Sequence, residues 1–241
     1  MNKETVLCIQ ARMGSSRFRG KMLAPLGGLP LLAWLALRLQ RCRQVNRWFL
    51  ATSVQPENDP LVELAQTLGL ETYRGDEIDV LKRFGDVIRL TDCQHIVRVC
   101  GDNPLIDPEE VDRVIAYHKQ HNADYSFNHI PAKNNGYPDG LGAEVFCSGI
   151  LLEAEAKASI QSEREHINQW VLHRTGQYCI GAVAAPEAIA APDVRLDVDT
   201  PADLDYIRQV LATGKLNILS TATDIISAAR MAGPHPQRIS A

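Results

Sequence analysis

Residues 6–23, VLCIQARMGSSRFRGKML, join a short apolar run to a basic loop. The run starts with a β-branched residue and predicts a buried first strand. The loop contains glycines, serines and four cations: Arg12, Arg17, Arg19 and Lys21. Glycines let a backbone close around an anion with its N–H groups, and fixed cations neutralise the anion's charge. The stretch therefore predicts a site for a phosphate-rich ligand, with a solvated basic turn as the alternative.

The loop differs from the two best-known phosphate-binding fingerprints. No G-x-G-x-x-G follows the strand, as a Rossmann dinucleotide site requires. Five residues separate Gly14 from Gly20, one more than in a P-loop, and Met22 stands where a P-loop has the Ser or Thr that binds Mg²⁺. The sequence therefore indicates a phosphate site of another class.

The composition is that of an ordinary globular protein. Of the 241 residues, 45% are hydrophobic and 22% are charged, and no apolar run reaches membrane-spanning length. The formal net charge of −4 offers no general attraction to nucleic acid. The six cysteines lack paired spacings and the N-terminus shows no apolar leader run, so we expect a cytoplasmic protein with reduced thiols. We expect small-molecule ligands, and neither nucleic acid nor a membrane as a partner.

The order of apolar patterns predicts an α/β fold. Up to residue 121, strand and helix patterns alternate four times, which favours a parallel sheet covered by helices. Later strands are expected at residues 123–128, 143–146, 178–184 and 194–199. Later helices are expected at residues 149–158, 163–173 and 224–231, with another beginning at Thr200 as N-cap and Asp203 as capping-box acid, and a frayed tail at the end. We expect a Rossmann-like three-layer α/β/α arrangement with a mostly parallel sheet and an inserted β/loop arm.

Two aspartates end predicted apolar strands, Asp102 in GDNP and Asp199 in LDVDTP. Ligands of parallel sheets bind beyond the C-terminal ends of the strands, and Mg²⁺ typically takes one or two carboxylates. Asp197 lies two residues before Asp199 and so on the same strand face. Each aspartate taken alone is equally well explained as a turn or cap residue.

The segment QARMGSSRFRGKML resembles the opening signature of the sugar nucleotidyltransferases that make CMP-activated sugar acids. The resemblance is greatest to the spore-coat polysaccharide cytidylyltransferase family, which is related to the CMP-3-deoxy-octulosonate and CMP-sialate synthetases. It continues at RGDEIDVLKRF (74–84), GD (101–102), YPDGLGAEVF (137–146), REH (164–166) and DTPADL (199–204). It implies a Mg²⁺-dependent cytidylyltransferase that uses CTP to activate a nonulosonate- or ulosonate-type sugar acid for surface polysaccharide or glycan biosynthesis.

The resemblance also implies roles for individual residues. Asp102 and Asp199 would hold Mg²⁺, with Asp197 as a further candidate ligand. Arg12, Lys21, Asp102 and Asp199 form the expected catalytic set. The expected nucleotide-binding residues are Ala11, Arg12, Met13, Gly14, Ser15, Ser16, Arg17, Lys21, Arg74, Asp79, Arg98 and Asp102. The family usually has proline where this chain has Arg19, and the sequence offers no reason for the added charge.

The second substrate is expected to meet the later blocks of the sequence. Their candidate residues are Tyr137, Asp139, Gly140, Glu144, Arg164, Glu165 and His166. A guanidinium fork such as that of Arg164 fits a sugar carboxylate. On a continuous helix, His166, Trp170 and His173 would share one face, which favours packing or substrate contact over a metal site.

The expected organisation is one domain over residues 1–241. It has a nucleotide half at about 1–121, a sugar-binding and dimer arm at about 123–185, and a metal-binding strand with C-terminal helices at about 193–232. We expect a homodimer. Three alternatives stay open: transfer from another NTP to a sugar or polyol phosphate, a glycosyltransferase using Asp197 and Asp199 as a D-x-D motif, and a non-catalytic nucleotide-binding protein.

Overall fold

The computed structural model describes residues 4–129 and 135–236. The strands are β1 Thr5–Gln10, β2 Pro25–Leu26, β3 Leu29–Pro30, β4 Arg47–Ser53, β5 Glu71–Gly75, β6 His95–Cys100, β7 Tyr125–Phe127, β8 Glu144–Cys147 and β9 Ile180–Ala182. The α-helices are α1 Leu31–Leu39, α2 Asp59–Thr67, α3 Val80–Thr91, α4 Pro108–Gln120, α5 Ser148–Lys157, α6 Gln161–Glu165, α7 Gln169–Leu172, α8 Pro201–Gly214 and α9 Ala222–Ala232.

Seven strands in the described part of the chain form one sheet in the order β5-β4-β1-β6-β8-β7-β9. Strand β8 runs antiparallel to both of its neighbours, and the other pairs are parallel. Two apolar clusters cover the two faces of the sheet: α1, α2, α4, α8 and α9 contribute to one, and α3, α5 and α7 to the other. The predicted three-layer α/β fold is confirmed, whereas its division into functional regions stays a prediction.

The central strands place two predicted site segments at one edge of the sheet. Strand β1 lies between β4 and β6, and Gln10 at its end pairs with Cys100 at the end of β6. The basic loop follows Gln10, and the Gly101-Asp102 turn follows Cys100. Gly101 fits this crowded junction because a Cβ atom there would lie 2.8 Å from the Cβ of Ala11.

The predicted strand at residues 194–199 is wrong. Leu196 and Val198 are buried and alternate with polar side chains, as a strand requires. The segment is extended, but its only bridge among the described residues joins Arg195 to Asp139. Its hydrogen bonds go to the Asp139 segment and then to Asp102, where the Val198 N–H donates to the Asp102 carbonyl at 2.8 Å. It therefore connects two loops instead of extending the sheet.

The predicted helix at residues 163–173 is interrupted. His166 has φ −110° and ψ 89°, so α6 ends before it and α7 begins at Gln169. The break buries Ile167 completely and lets the Asn168 amide donate to Glu144 at 2.9 Å. His166, Trp170 and His173 therefore do not share one continuous helix face.

The C-terminal prediction needs a similar correction. Helix α9 is confirmed, but the chain after it is not frayed as far as His235, which is 3% exposed. Residues 130–134 of the predicted β/loop arm lie outside the described residues. None of the described helices is both apolar enough and long enough to cross a membrane.

Two histidines whose rings meet edge to face, one buried and one half-buried, predict acid sensitivity. The His118 ring is fully buried, its Nδ1 atom lies 3.1 Å from Ser126 Oγ, and it meets the His95 ring edge to face. Burial lowers the pKa of His118 to about 3 and that of His95 to about 4. Both rings therefore fold in the neutral form.

Stability should fall as pH drops below the unfolded histidine pKa of about 6.5, because the unfolded chain then binds protons that the folded chain excludes. Between pH 7.5 and pH 5.0 we expect His118 alone to contribute a loss of about 2 kcal/mol in the free energy of unfolding. Urea denaturation at the two pH values measures it. The variant His118→Gln should show a smaller difference, and an unchanged difference would contradict this explanation.

Candidate active site

A cavity of about 350 Å³ opens at the C-terminal ends of β1 and β6. The basic loop forms one wall, α3 and the residues before it form another, and the α6–α7 break forms a third. Its lining residues are Gln10, Ala11, Arg12, Ser15, Ser16, Arg17, Lys21, Met22, Glu77, Val80, Arg83, Arg98, Cys100, Gly101, Asp102, Glu165, His166 and Asp199. Eight of the twelve predicted nucleotide-binding residues are among them.

The two predicted metal-binding carboxylates converge on Lys21. Its Nζ atom lies 3.7 Å from Asp102 Oδ2 and 3.5 Å from Asp199 Oδ1, and donates to the Val198 carbonyl at 2.7 Å. Burial raises the pKa of Asp102, an effect that Lys21 opposes and the negative charges of Asp199 and Asp197 reinforce. A mutually repelling carboxylate pair of this kind suits a cation with oxygen ligands.

Asp197 is held differently from Asp102 and Asp199. Both of its carboxylate oxygens accept hydrogen bonds from Arg195, at 2.6 and 2.7 Å. It does not line the cavity. No group of three or more His, Cys, Asp or Glu side chains within residues 4–129 and 135–236 is arranged to hold a metal. Two carboxylates are nevertheless a normal protein contribution to a Mg²⁺ site whose other ligands are phosphate and water.

A capping box fixes the backbone at Asp199. The Asp203 carboxylate accepts from the N–H of Asp199 at 2.9 Å and of Thr200 at 2.7 Å, while the Thr200 hydroxyl accepts from the Asp203 N–H. Burial alone would raise the pKa of Asp203, but these hydrogen bonds hold it below its ordinary value. The predicted cap is confirmed, and it anchors a candidate metal ligand as well as α8.

Each cation of the basic loop has a carboxylate partner. Arg12 pairs with Glu77 at 2.8 Å and Arg17 with Asp199 at 2.9 Å. Arg19 does not line the cavity and pairs with Glu57 at 3.0 Å, with 81% of its side chain exposed. Arg12, Arg17 and Lys21 are therefore the loop cations placed to meet an anion, and Arg19 adds a surface ion pair.

Arg98 forms the floor of the cavity through a buried polar network. Its guanidinium pairs with Glu144 and donates to Gln10 Oε1 at 2.7 Å. Glu144 also accepts from Tyr125 at 2.5 Å and from Asn168. Burial by itself would raise the pKa of Glu144, but Arg98 holds it below its ordinary value. Glu144 is 2% exposed and holds Arg98 through this ion pair, and its predicted role in substrate binding stays a prediction.

Neutralising Glu144 should therefore destabilise the protein. Replacing one partner of a buried ion pair leaves the other charge uncompensated, so Glu144→Gln is expected to lower the free energy of unfolding by about 3 kcal/mol. Urea denaturation at neutral pH measures the loss. The matched surface variant Glu153→Gln, which breaks the exposed pair with Lys157, should cost about 0.5 kcal/mol or less. Equal effects of the two variants would contradict the role of Glu144.

Four predicted nucleotide-binding residues do not line the cavity: Met13, Gly14, Arg74 and Asp79. The Met13 N–H donates to Asn58 at 2.8 Å, and a Cβ atom at Gly14 would lie 2.7 Å from the Glu57 side chain. Arg74 pairs with Asp59 at 2.7 Å and donates to three backbone carbonyls. Asp79 caps α3 by accepting from the Lys82 N–H at 2.9 Å.

Of the seven predicted substrate-binding residues, only Glu165 and His166 line the cavity. Arg164 pairs with Asp79 at 2.6 Å and donates to the Glu155 and Ala158 carbonyls, so its guanidinium is already engaged. The Tyr137 hydroxyl donates to Glu110 at 2.5 Å inside the core.

Asp139 and Gly140 lie against the segment that leads to Asp199. The Asp139 N–H donates to the Val194 carbonyl at 3.0 Å. Gly140 has φ +93°, and a Cβ atom there would lie 2.6 Å from the backbone of Leu196, so only glycine permits this approach. These two residues therefore pack against the backbone of residues 194–196, which leads to Asp199.

Arg83 is a cavity residue that the sequence reasoning missed. It is 2% exposed, donates to the Ala51 carbonyl at 3.2 Å and lines the cavity from α3. The sequence does contain an indication of this position, because Arg83 lies three residues after Val80 and so places a charge on the apolar face of α3. Gln10 at the end of β1 was also missed, and its side chain accepts from Arg98.

The cavity combines a pair of carboxylates with three buried cations and two exposed ones. Arg12, Arg17, Lys21, Arg83 and Arg98 supply positive charge, and Asp102 and Asp199 supply oxygen ligands at one side. Fixed cations beside a carboxylate pair stabilise the charge that develops when a polyphosphate is cleaved. The arrangement is therefore suited to phosphoryl or nucleotidyl chemistry.

Comparison with known proteins agrees with this geometry. The chain is 31% identical to the spore coat polysaccharide biosynthesis protein SpsF of Bacillus subtilis, over 85% of each chain. It is 33% identical to an 8-amino-3,8-dideoxy-manno-octulosonate cytidylyltransferase of Shewanella woodyi, over 50% of this chain and 49% of the relative. A solved cytidylyltransferase from Leptospira borgpetersenii has the same fold, with a TM-score of 0.88, 24% identity and 95% of each chain covered.

The family comparison covers most of the sheet and every part of the cavity. Residues 6–225 match the family described as cytidylyltransferase. That range holds the basic loop, the Asp102 turn, the α6–α7 break and the Asp199 segment. With the carboxylate pair and the cations assembled in one cavity, the match shows that this chain belongs to the cytidylyltransferase family of enzymes.

Proposed function

We propose that the chain transfers the cytidylyl group of CTP to a sugar acid, giving a CMP-sugar and pyrophosphate. The observation that carries the proposal is the convergence of Asp102 and Asp199 on Lys21, inside a cavity walled by the loop cations. The octulosonate cytidylyltransferase of Shewanella woodyi supports a sugar acid as acceptor. The resemblance to SpsF supports a product used for polysaccharide biosynthesis. We propose that the reaction takes place in the cytoplasm.

Asp102 and Asp199 would hold Mg²⁺. When bound there, the ion would neutralise phosphate charge and polarise oxygens at the reacting phosphorus. Lys21 is placed to neutralise phosphate oxygens beside the carboxylates, since its Nζ atom already lies between them. Arg12 and Arg17 would exchange Glu77 and Asp199 for phosphate oxygens and so stabilise the departing pyrophosphate.

The acceptor is expected to enter on the side of Glu165 and His166. Both line the cavity from the α6–α7 break, and no loop cation pairs with either of them among the ion pairs of the described residues. The anomeric hydroxyl of the sugar acid would attack the α-phosphorus in line with the departing pyrophosphate. Arg83 and Arg98 line the same cavity and would attract the acid's carboxylate or a phosphate oxygen.

The glycosyltransferase alternative has less support. It needs Asp197 and Asp199 together as metal ligands, but Arg195 holds both oxygens of Asp197. A cavity with five lining cations also suits a triphosphate better than the diphosphate of a nucleotide sugar. Use of another NTP with a sugar or polyol phosphate is the nearer alternative, because the same cations serve any triphosphate.

We also propose a homodimer that uses the arm after residue 123. Strand β9 lies at one end of the sheet order among the described strands, and an edge strand is a place where a sheet can pair with another copy. Light scattering after size-exclusion chromatography tests the dimer, and a mass near 26.7 kDa for the eluted protein would contradict it.

The decisive experiment for the function measures pyrophosphate release with Mg²⁺, each of the four NTPs, and a panel of sugar acids and sugar phosphates. We expect release with CTP and at least one sugar acid. Release only with another NTP would overturn the choice of CTP. Binding of CTP without release across the panel would favour a non-catalytic nucleotide-binding protein.

A further inference from the structure

A buried histidine after the last helix contacts the capping box behind the candidate metal site. The His235 Nε2 atom lies 3.2 Å from Asp203 Oδ1, and the side chains of both residues are essentially unexposed. The other Asp203 oxygen, Oδ2, accepts from the N–H groups of Asp199 and Thr200. Asp203 therefore connects His235 to the backbone of Asp199, through Oδ1 on the side of His235 and through Oδ2 on the side of the Asp199 N–H.

The turn after α9 and the side chain of Tyr206 hold the His235 ring in this position. Helix α9 ends at Ala232, and Gly233 follows it with a φ of +91°, a conformation that lets the chain turn back and that other residues rarely adopt. The Tyr206 hydroxyl donates to the Gly233 carbonyl at 3.1 Å, and the Tyr206 ring meets the His235 ring with centroids 4.8 Å apart. Helix α8, which Asp203 caps, thus also holds the segment that carries His235.

We propose that His235 is a positioning residue that sets the orientation of Asp199 through Asp203. Asp203 accepts two backbone hydrogen bonds through Oδ2, and His235 Nε2, within ion-pair distance of Oδ1, packs against the other side of the carboxylate. Loss of that contact frees the carboxylate to rotate and to shift the Asp199 N–H that it holds. The inference deepens the proposed function, because it concerns the carboxylate pair assigned to the metal.

The side chain of Asp199 shows what such a shift changes. It lies 3.5 Å from Lys21 and 2.9 Å from Arg17, on the cavity side of the same residue whose N–H Asp203 holds. Outer groups that orient a metal-binding side chain commonly change metal affinity about 10- to 100-fold when they are removed. His235 therefore acts on metal binding without lining the cavity.

The test measures Mn²⁺ affinity from the free Mn²⁺ signal in electron paramagnetic resonance, with unfolding temperature recorded in parallel. We expect His235→Leu to weaken Mn²⁺ binding about 10-fold. His235→Gln, whose amide nitrogen reaches the position of Nε2, should bind within about threefold of the original protein. His235→Asn stops short of Asp203 and provides a second loss variant with a polar side chain, should the leucine variant fail to fold.

Tyr206→Phe is the matched control. It removes the hydroxyl that holds the same segment to α8 but leaves the Asp203 contact in place. If His235 had a merely structural role, both His235→Asn and Tyr206→Phe would lower the unfolding temperature. The Mn²⁺ affinities of the two variants would then be equal. That result, or unchanged Mn²⁺ affinity in the folded His235 variants, would overturn the inference alone. Failure of the original protein to bind Mn²⁺ would overturn both this inference and the proposed metal site.

Discussion

Replacing Asp102 by asparagine should lower kcat/KM for pyrophosphate release by about 10³-fold while the protein stays folded. Asparagine keeps the size of the side chain but removes the charge that faces Asp199 across Lys21. The contact that holds the turn in place is made by the Asp102 carbonyl, which accepts from Val198 and survives the substitution. The effect should therefore fall on chemistry and not on folding.

Steady-state pyrophosphate release with CTP and the sugar acid that the panel identifies measures this loss. The matched control is Asp205→Asn, because Asp205 is 71% exposed and pairs only with its helix neighbour Arg208 among the ion pairs of the described residues. We expect that control to stay within about twofold of the original activity. More than about a tenth of the original activity in Asp102→Asn would contradict a metal-binding role.

Replacing Lys21 by methionine should have the second largest effect, a loss of about 10²-fold in kcat with metal binding retained or tightened. Methionine preserves the buried stem of a side chain that is 10% exposed. It removes the only cation that contacts both Asp102 and Asp199 within the described part of the chain. The carboxylate pair then attracts Mn²⁺ at least as strongly, while the phosphate oxygens lose a neutralising group.

Turnover measures the expected loss in kcat, and Mn²⁺ titration measures the metal affinity that is expected to stay or rise. Lys82→Met is the control, since Lys82 is half exposed and pairs with Asp86 one turn away. It should leave both turnover and Mn²⁺ affinity unchanged. A Lys21→Met variant that lost Mn²⁺ binding along with activity would mean that Lys21 supports the site structurally, and would contradict its role in neutralising phosphate charge.

The parts of the site that could be predicted from the sequence are those carried by short local motifs. The basic loop and the Asp102 turn each follow an apolar strand, and neighbouring parallel strands end at one edge of a sheet. The capping box at Thr200 is likewise a four-residue pattern. Local chain geometry decides all three, so the local sequence is sufficient to predict them.

Other residues are decided by partners distant in the chain. The motif around Arg164 predicts contact with the sugar, but Arg164 pairs with Asp79, 85 residues away. Glu144 is likewise predicted to contact substrate, but it pairs with Arg98 on the neighbouring antiparallel strand. The sequence around His235 is typical of a tail, because no local pattern there indicates that the histidine is buried against Asp203. No local pattern contains these partners, so side-chain pairing has to come from the fold.

The extended segment before Asp199 shows a third kind of limit. Alternation of buried and polar residues predicts a strand, and the alternation itself is present. A strand also needs a partner along its length, and this segment finds Asp139 at one end and Asp102 at the other. The pattern reports which side chains are buried, whereas the assignment to a sheet depends on neighbours.

The most direct test of the central claim identifies the product by mass spectrometry. The protein would be incubated with Mg²⁺, CTP and each sugar acid of the panel, with the anomeric oxygen of the acid labelled with ¹⁸O. We predict a CMP-sugar that retains the label between sugar and phosphorus, together with unlabelled pyrophosphate. A labelled pyrophosphate, or a product in which no cytidylyl group is joined to the sugar, would contradict cytidylyl transfer in this cavity.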